Sequence, residues 1–355
     1  GKIISTEPAR RMIELARRVA EDPLLADLFA SEMDDAALWR HIAVEPEFRF
    51  FHRKLDAYLK RFGDRCTDEL KLETVTLAED PAFLLQMIRA YAAQGIPDAE
   101  EARSREIGIR QEAEAIVGAR LRGMRRRVFQ LVLRQARQRV RDRENLRFER
   151  TRVFAVVRRI FLGLGGHLAA RRQLDSPRDV YYLTVEEVFA HFSGTGATTE
   201  LRALAAMRRA EFGEYERMPA PPDRFETLGP PGEIPESSEP TAVAEGDLKG
   251  MGCCPGVVRA PVRIVRNPRE AGELAGHILV AERTDPGWTL LFPAVRGLLV
   301  QRGSLLSHSA IVAREMGIPC IVAVPNLLGI LRDGEVVVME GATGSIQRGL
   351  GGEGR

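Results

Sequence analysis

The fold is decided by residues 297–325, GLLVQRGSLLSHSAIVAREMGIPCIVAVP. The short apolar run Gly297–Gln301 predicts a buried strand, and the glycine-containing turn after it ends that strand. A helix is predicted to begin at Ser307–Ser309 and to end where a glycine and a proline follow. Cys320–Val324 predicts a second strand. This strand–turn–helix–strand unit places His308 at the start of its helix.

His308 is in a position suited to phosphate chemistry. Backbone N–H groups at a helix N-terminus lack intrahelical partners and carry a partial positive charge, which favours an anionic phosphate. A neutral imidazole is a competent nucleophile near physiological pH, because its ordinary pKa is about 6.5. The hydroxyls of Ser307 and Ser309 could hold a phosphoryl group on the ring. Local chemistry alone leaves two alternatives, a phosphoryl carrier or a surface histidine at a helix cap.

Further motifs occur in order on both sides of His308. They are GCCPGVV at 252–258, APV at 260–262, ILV at 278–280, TDPGWT at 284–289, SHSAIVARE at 307–315, GIP at 317–319 and Asp333-Gly334. Through these motifs residues 252–348 resemble the mobile phosphohistidine, or swivelling, domain of the PEP-utilising enzymes. That family contains phosphoenolpyruvate synthase, pyruvate phosphate dikinase and the rifampin phosphotransferases. The resemblance implies an α/β domain with a mostly β core.

The resemblance also implies roles for single residues. His308 falls on the family's phosphorylated histidine, and four residues would support its phosphate: Thr284, Gly303, Ser307 and Ser309. The family usually has two glycines where this chain has Gly303-Ser304. The dikinase branch carries a regulatory threonine where this chain has Leu306, so that form of control is not expected.

Two polar stretches interrupt the apolar helices of the N-terminal part. Phe62–Glu69 places charge around a glycine turn, and Arg143–Phe148 lies in a later helix. Both resemble parts of the helical, acceptor-substrate domain of the rifampin phosphotransferases. That resemblance makes four residues candidates for an acceptor pocket: Arg65 as an anion contact, Glu69 as its partner or a base, Glu144 and Arg147. The first stretch could instead be a solvated loop, and Glu144 could pair with Arg147 on one helix face.

The expected fold class is α+β with several domains. Residues 1–217 predict an all-α, acceptor-substrate-like domain, and residues 248–349 predict the phosphohistidine swivel domain, followed by a tail at 350–355. Residues 218–247 predict a linker, because seven prolines occur between positions 219 and 240. A tether of this kind would let a carrier domain visit two sites.

The order of apolar residues also predicts individual elements. Helices are expected through most of 6–62, as one or two long helices over 98–162, and after a Thr184–Glu187 capping box. Gly163–Gly166 is expected to interrupt the chain, and Asp175–Thr184 to form a turn and a short extended piece. Six strands are predicted: Gly256–Val258, Val262–Val265, Ile278–Ala281, Gly297–Val300, Cys320–Val324 and Val336–Met339.

Composition and charge restrict the functional classes. The net charge of +2 gives no overall case for a polyanion partner, although residues 120–159 contain 15 arginines and three acidic residues. That stripe could bind nucleic acid, but a solvated face or a face docking an acidic domain is favoured, so no nucleic-acid partner is expected. The four cysteines form no C-x-x-C pair and predict neither a zinc site nor a disulfide framework. We expect no metal site, no apolar run near 18 residues, no membrane partner and a cytoplasmic location.

These features favour an ATP-dependent, dikinase-type phosphotransferase. The sequence contains no glycine-rich phosphate loop or ATP-grasp pattern, so ATP and Mg²⁺ are expected on an ATP-grasp-like domain, in cis or in trans. The acceptor is expected to be a small molecule with a hydroxyl, as in the rifampin enzymes, and the chain to be a fragment or a subunit. Two alternatives remain, a phosphoenolpyruvate synthase-like protein whose barrel is supplied elsewhere, and a non-catalytic phosphocarrier or regulatory module.

Overall fold

The structure is a computed structural model, and it describes residues 4–94, 99–218 and 248–349. Its N-terminal part is helical, as the sequence predicted. The helices are α1 (Glu7–Glu21), α2 (Pro23–Ala30), α3 (Asp35–Val44), α4 (Arg49–Phe62), α5 (Ala82–Gln94), α6 (Ala99–Arg120), α7 (Gly123–Ala170), α8 (Val185–Ser193) and α9 (Leu201–Tyr215).

The first helices form because their apolar residues recur at helical spacing. In α1, Met12, Ile13, Ala16 and Val19 lie on one face and are buried. They pack with apolar side chains of α2 to α5 in one hydrophobic core. Asp22 caps α2 by accepting a hydrogen bond from the Leu24 N–H. Burial of this shared face holds the short helices, which would be marginal alone.

Two local expectations in the helical part were wrong, and one was confirmed. Gly163–Gly166 does not interrupt the chain, because α7 continues through these glycines to Ala170. Residues Pro177–Tyr182 form a 3₁₀ helix instead of an extended piece, since Ser176 and Asp179 make a reciprocal capping box at its start. The Thr184–Glu187 capping box is present and begins α8.

The C-terminal part is built around one eight-stranded mixed sheet. Its strands are β1 (Leu248–Lys249), β2 (Met251–Cys254), β3 (Val257–Ile264), β4 (Ile278–Ala281), β5 (Gly297–Val300), β6 (Cys320–Val322), β7 (Val336–Glu340) and β8 (Ser345–Arg348). The strand order is β1-β8-β7-β3-β4-β5-β6-β2. Strands β3 to β6 are parallel, and the outer pairs are antiparallel. Helices α10 (His308–Met316) and α11 (Leu327–Ile330) lie between strands in the chain.

The strand predictions were confirmed in the middle of the sheet and incomplete at its edges. β4 and β5 have the predicted bounds and are buried along their whole length, as expected for parallel strands. The two predicted strands at 256–258 and 262–265 form one strand, β3. Pro261 lies inside this strand and pairs in register with β7, although a proline has no N–H to donate. β1, β2 and β8 were not predicted, since they are short strands with little apolar alternation.

The chain divides into two compact units. One comprises Gly1–Phe154 with Asp247–Arg355, and the other comprises Ala155–Gly246. Helices and sheet share the first unit because they pack on one another: the Tyr91 hydroxyl donates to the Leu290 carbonyl at 3.0 Å, and Arg269 pairs with Asp80. The predicted boundaries at 217 and 248 stay a prediction. The predicted linker, apart from Met218, and the tail 350–355 lie outside the described residues.

The expectation that no apolar run approaches 18 residues does not fit one helix, α7. By length and composition, α7 contains a stretch that could cross a membrane. One such helix is weak evidence, because core helices of soluble proteins pass the same test.

Candidate active site

His308 is the first residue of α10 and is buried. Ser307 is the N-cap, with its hydroxyl accepting a hydrogen bond from the Ala310 N–H. The preceding loop follows β5 and turns at Gly303, whose φ of +154° and close neighbours Val322 and Ser307 leave little room for a side chain. Only 3% of His308 is exposed. The sequence therefore placed the histidine correctly at a helix start, but the ring is not on the surface.

Both ring nitrogens of His308 have a partner. Nδ1 lies 3.1 Å from Oε2 of Glu144, and Nε2 lies 3.3 Å from the Thr289 hydroxyl. Burial lowers the pKa of His308, and the nearby Arg65 and Arg147 lower it further, whereas Glu144 opposes this effect. The imidazole is therefore neutral near neutral pH.

Glu144 determines which nitrogen carries the proton. Burial alone would raise its pKa, but the hydrogen bond from His308 and the charges of Arg147 and Arg143 hold the pKa below its ordinary value. An ionised carboxylate only accepts hydrogen bonds, so Nδ1 of His308 carries the proton and donates it to Glu144. Nε2 then keeps its lone pair and accepts from the Thr289 hydroxyl. The arrangement leaves Nε2 as the nucleophilic atom.

A buried charged cluster adjoins this pair. Arg65 and Glu69 are about 95% buried, with Arg65 Nε 3.9 Å from Glu69 Oε1, and the Arg65 guanidinium lies 4.8 Å from the centre of the Phe148 ring. Within the described part of the chain, several buried polar atoms have no hydrogen-bond partner: Arg65 Nε and Nη1, Glu69 Oε1, Glu144 Oε1 and Arg147 Nε. Buried polar groups are normally paired. This cluster therefore has the chemistry of a site that receives a polar ligand.

The pKa shifts in the cluster follow from burial. Burial lowers the pKa of Arg65 although the Glu69 carboxylate opposes it. Burial also raises the pKa of Glu69, although Arg65 and Arg147 oppose that shift. A carboxyl group whose pKa is raised toward neutrality is a better general base than an ordinary one.

The other candidates lie around the start of α10. The Thr284 hydroxyl donates to the Ser309 hydroxyl at 2.7 Å, so both flank the helix end that carries His308. Asp285 accepts from the Gly287 N–H at 2.8 Å and from the Asp68 N–H at 2.6 Å. It thereby joins the loop after β4 to the polar stretch that holds Arg65.

The structure brings the two groups of candidates together. Glu144 was a candidate for the acceptor pocket, and it contacts His308 directly instead of standing apart from it. Thr289 was missed as a site residue, although it is part of the TDPGWT motif and lies in the 3₁₀ helix Pro286–Leu290 that Asp285 caps. Among the described residues, no group of three or more His, Cys, Asp and Glu side chains could hold a metal ion. The four cysteines are free and buried.

Two family descriptions match this chain. "PEP-utilising enzyme, mobile domain" matches residues 273–344, which include His308, and "Rifampicin phosphotransferase fourth domain" matches residues 1–144, which include Arg65, Glu69 and Glu144. The chain belongs to the family of PEP-utilising enzymes.

Several curated relatives align with nearly the whole chain. The chain is 33% identical over 345 residues to an uncharacterised protein of Mycobacterium tuberculosis, covering 96% of this chain and 36% of that protein. It is 28% identical over 353 residues to rifampicin phosphotransferase of Streptomyces sviceus, covering 97% and 40%. It is 30% identical over 344 residues to prodigiosin synthesizing transferase PigC of Serratia marcescens, covering 95% and 38%. The chain thus spans at most 40% of the length of these relatives.

Proposed function

We propose that this chain carries out the histidine-dependent part of an ATP-dependent phosphoryl transfer, with His308 as the phosphorylated residue. The observation that carries the proposal is the buried Glu144–His308 hydrogen bond, which leaves a neutral imidazole whose Nε2 is unprotonated and accepts from the Thr289 hydroxyl. Relatives named as phosphotransferases support the same chemistry.

In the first step His308 takes a phosphoryl group from ATP. The Nε2 lone pair forms a bond to phosphorus while a phosphorus–oxygen bond of ATP breaks, and the electrons of that bond leave with the nucleotide or phosphate product. An ATP-grasp-like domain, in this protein or in a separate chain, would bind ATP, and Mg²⁺ there would neutralise the phosphate charge.

In the second step the phosphoryl group passes to a hydroxyl of the acceptor. The acceptor oxygen bonds to phosphorus, the nitrogen–phosphorus bond breaks, and its electrons return to Nε2. Glu69 is the proposed base that takes the hydroxyl proton, since burial raises its pKa. Arg65, with Nε and Nη1 unpartnered, is the proposed contact to the phosphoryl oxygens. Two steps with a covalent carrier replace one difficult transfer.

The two steps require different positions of His308. Its ring is only 3% exposed and lies against α7, so ATP cannot reach Nε2 while Glu144 is bound. The closed arrangement suits the second step, because the acceptor-pocket candidates surround the ring. We infer that the sheet-bearing part moves away from α7 for the first step, as the swivelling domain of the family would.

The test is acid-labile phosphorylation of the tryptic peptide Gly303–Arg314. Incubation with ATP, Mg²⁺ and the ATP-binding domain should add one phosphoryl group that acid removes, and mass spectrometry should locate it on His308. His308→Asn should abolish the signal, while His277→Asn, a change outside the site, should keep it. Phosphate on another residue, or none with a competent ATP-binding domain, would contradict the proposal. Phosphorylation without discharge to any hydroxyl compound would favour the non-catalytic carrier.

A further inference from the structure

A large groove lies beside the candidate active site. It has a volume of about 1210 Å³ and runs between α6, the first half of α7 and α10. Its lining includes the apolar side chains Ile109, Val117, Leu121, Phe129, Leu133 and Val140. Ligand pockets commonly hold about 300–1,000 Å³, so this groove could take a large organic molecule.

The charge of the lining is strongly positive. Six arginines line the groove and two glutamates oppose them: Arg110, Arg126, Arg134, Arg137, Arg141 and Arg314, with Glu114 and Glu315. Arg137 pairs with Glu114 at 2.6 Å, and Arg141 pairs with Asp142 at 3.6 Å. The positive excess therefore lies mainly with Arg126 and Arg134. The arginine stripe of residues 120–159 therefore forms part of a lined groove and not only a solvated helix face. An apolar lining with an arginine excess is complementary to an amphipathic anion.

The groove approaches the reacting residues along two helices. On α7, Arg141 lines the groove and Glu144 lies three residues later. On α10, Ile311 lines it and His308 lies three residues earlier. Residues three apart share a helix face and are separated by about one helical turn, roughly 5 Å. A molecule in the groove could therefore extend one group to the His308–Glu144 pair.

We propose that this groove binds the body of the acceptor, an amphipathic organic molecule with an anionic group. The apolar part lies on α6 and α7, the anionic group is held by the arginines, and a hydroxyl reaches toward His308. This inference rests on the proposed function, because it assigns the substrate class of the same site.

The groove can be probed without knowing the acceptor. The anionic dye 8-anilinonaphthalene-1-sulfonate should bind the full chain with increased fluorescence, and the neutral N-phenyl-1-naphthylamine should bind more weakly. Ala136→Trp should fill the groove and Arg134→Glu should reverse one lining charge, each weakening the anionic dye about tenfold at low salt. Gln135→Trp and Arg139→Glu are the matched controls, because these neighbours do not line the groove. Both should bind as the unchanged chain does.

An azide derivative of the same naphthalene sulfonate locates the bound dye. Irradiation should attach it to the tryptic peptides Val128–Arg134 and Gly303–Arg314. Equal dye binding by all four variants, or attachment elsewhere, would overturn the proposal. A third result would also overturn it: no dye binding together with a concentration-dependent dimer that only Ala136→Trp disrupts. A second copy of the chain would then occupy the groove.

Dye binding tests the groove, and phosphorylation of His308 tests the proposed function, so the two results can be separated. Dye binding without phosphorylation of His308 would leave the groove assigned as an amphipathic-anion site and contradict the proposed function. Phosphorylation of His308 without dye binding in the groove would support the proposed function and overturn this inference.

Discussion

Replacing Glu144 with glutamine removes a buried negative charge while keeping nearly the same side-chain volume. The carbonyl of the new glutamine side chain could still accept from Nδ1 of His308, so the change weakens the contact instead of deleting it. Hydrogen bonds to charged groups contribute about 1.5–3 kcal/mol, against about 0.5–1.5 kcal/mol for neutral pairs. The difference, roughly 1–2 kcal/mol, corresponds to about a five- to thirtyfold slower reaction at His308.

The charge of the phosphorylated ring increases this loss. With phosphorus on Nε2 and a proton on Nδ1, the His308 ring is positive, and two unit charges 4 Å apart interact by about 4 kcal/mol at an effective dielectric constant of 20. Glu144 therefore holds the Nδ1 proton, so that the ring leaves phosphorus as a neutral imidazole in the second step. Part of that attraction is lost with the glutamine, and we therefore expect Glu144→Gln to slow discharge of phosphorylated His308 by at least about tenfold.

The pH dependence separates a chemical effect from a general loss of structure. Burial lowers the pKa of His308 and Glu144 raises it, so glutamine should lower it further. We expect the same direction in the phosphorylated ring, so the discharge rate should begin to fall at a lower pH as the pH rises, and its plateau should be lower.

In the unphosphorylated protein, the unfolded chain binds a proton at His308 near pH 6.5 and the folded chain only at lower pH. Stability from His308 is therefore lost as the pH falls between those two values.

The assay measures, over a range of pH, the rate at which acid-labile phosphate on Gly303–Arg314 is lost to water or to an added hydroxyl compound. Glu149→Gln is the matched control, because Glu149 is an exposed residue of the same helix that pairs with Arg152 at 3.2 Å. Its loss should cost less than about 1 kcal/mol of stability and leave the rate unchanged. A Glu144→Gln discharge rate within threefold of that of the unchanged chain, with the same pH dependence, would refute the reasoning.

Three further changes test single contacts. Glu69→Gln should leave phosphorylation of His308 intact but slow its discharge to an acceptor by about 10²-fold or more, and equal loss in both steps would exclude Glu69 as the base. Arg65→Lys keeps the charge but removes the Nη1 donor, so discharge of phosphorylated His308 should fall about tenfold; an unchanged rate would exclude the proposed contact. Thr284→Val leaves the buried Ser309 hydroxyl without its donor and should cost about 1–3 kcal/mol in the free energy of unfolding by urea, whereas adding Ser309→Ala should restore much of it. If Thr284→Val and Ser309→Ala lowered the free energy of unfolding independently and additively, the result would contradict that hydrogen bond.

The start of α10 could be predicted because its signals are local. Ser307 as N-cap, the glycine before it and the glycine–proline end of the helix are all read from neighbouring residues. The Glu144–His308 contact could not be predicted in this way, since 164 residues separate the two and no sequence periodicity connects them. Resemblance to known helical domains selected Glu144, but only the folded chain shows that it contacts the histidine.

The same distinction applies to the fold. Buried parallel strands such as β4 and β5 consist of continuous apolar residues and were predicted with correct bounds. β2 was missed because it is a short strand with little apolar alternation, and its irregular register with β6 is not specified by local sequence. Gly163–Gly166 was interpreted as an interruption from glycine content alone, yet the helix tolerates the cost of about 1 kcal/mol per glycine.

The most direct test of the central claim is the phosphorylation state of His308. Chain incubated with ATP, Mg²⁺ and the ATP-binding domain would be digested at neutral to alkaline pH, and Gly303–Arg314 analysed by mass spectrometry before and after acid. The account predicts one added phosphoryl group on His308 that acid removes and that Glu144→Gln discharges more slowly. An unmodified peptide under conditions in which the ATP-binding domain turns over ATP would contradict it.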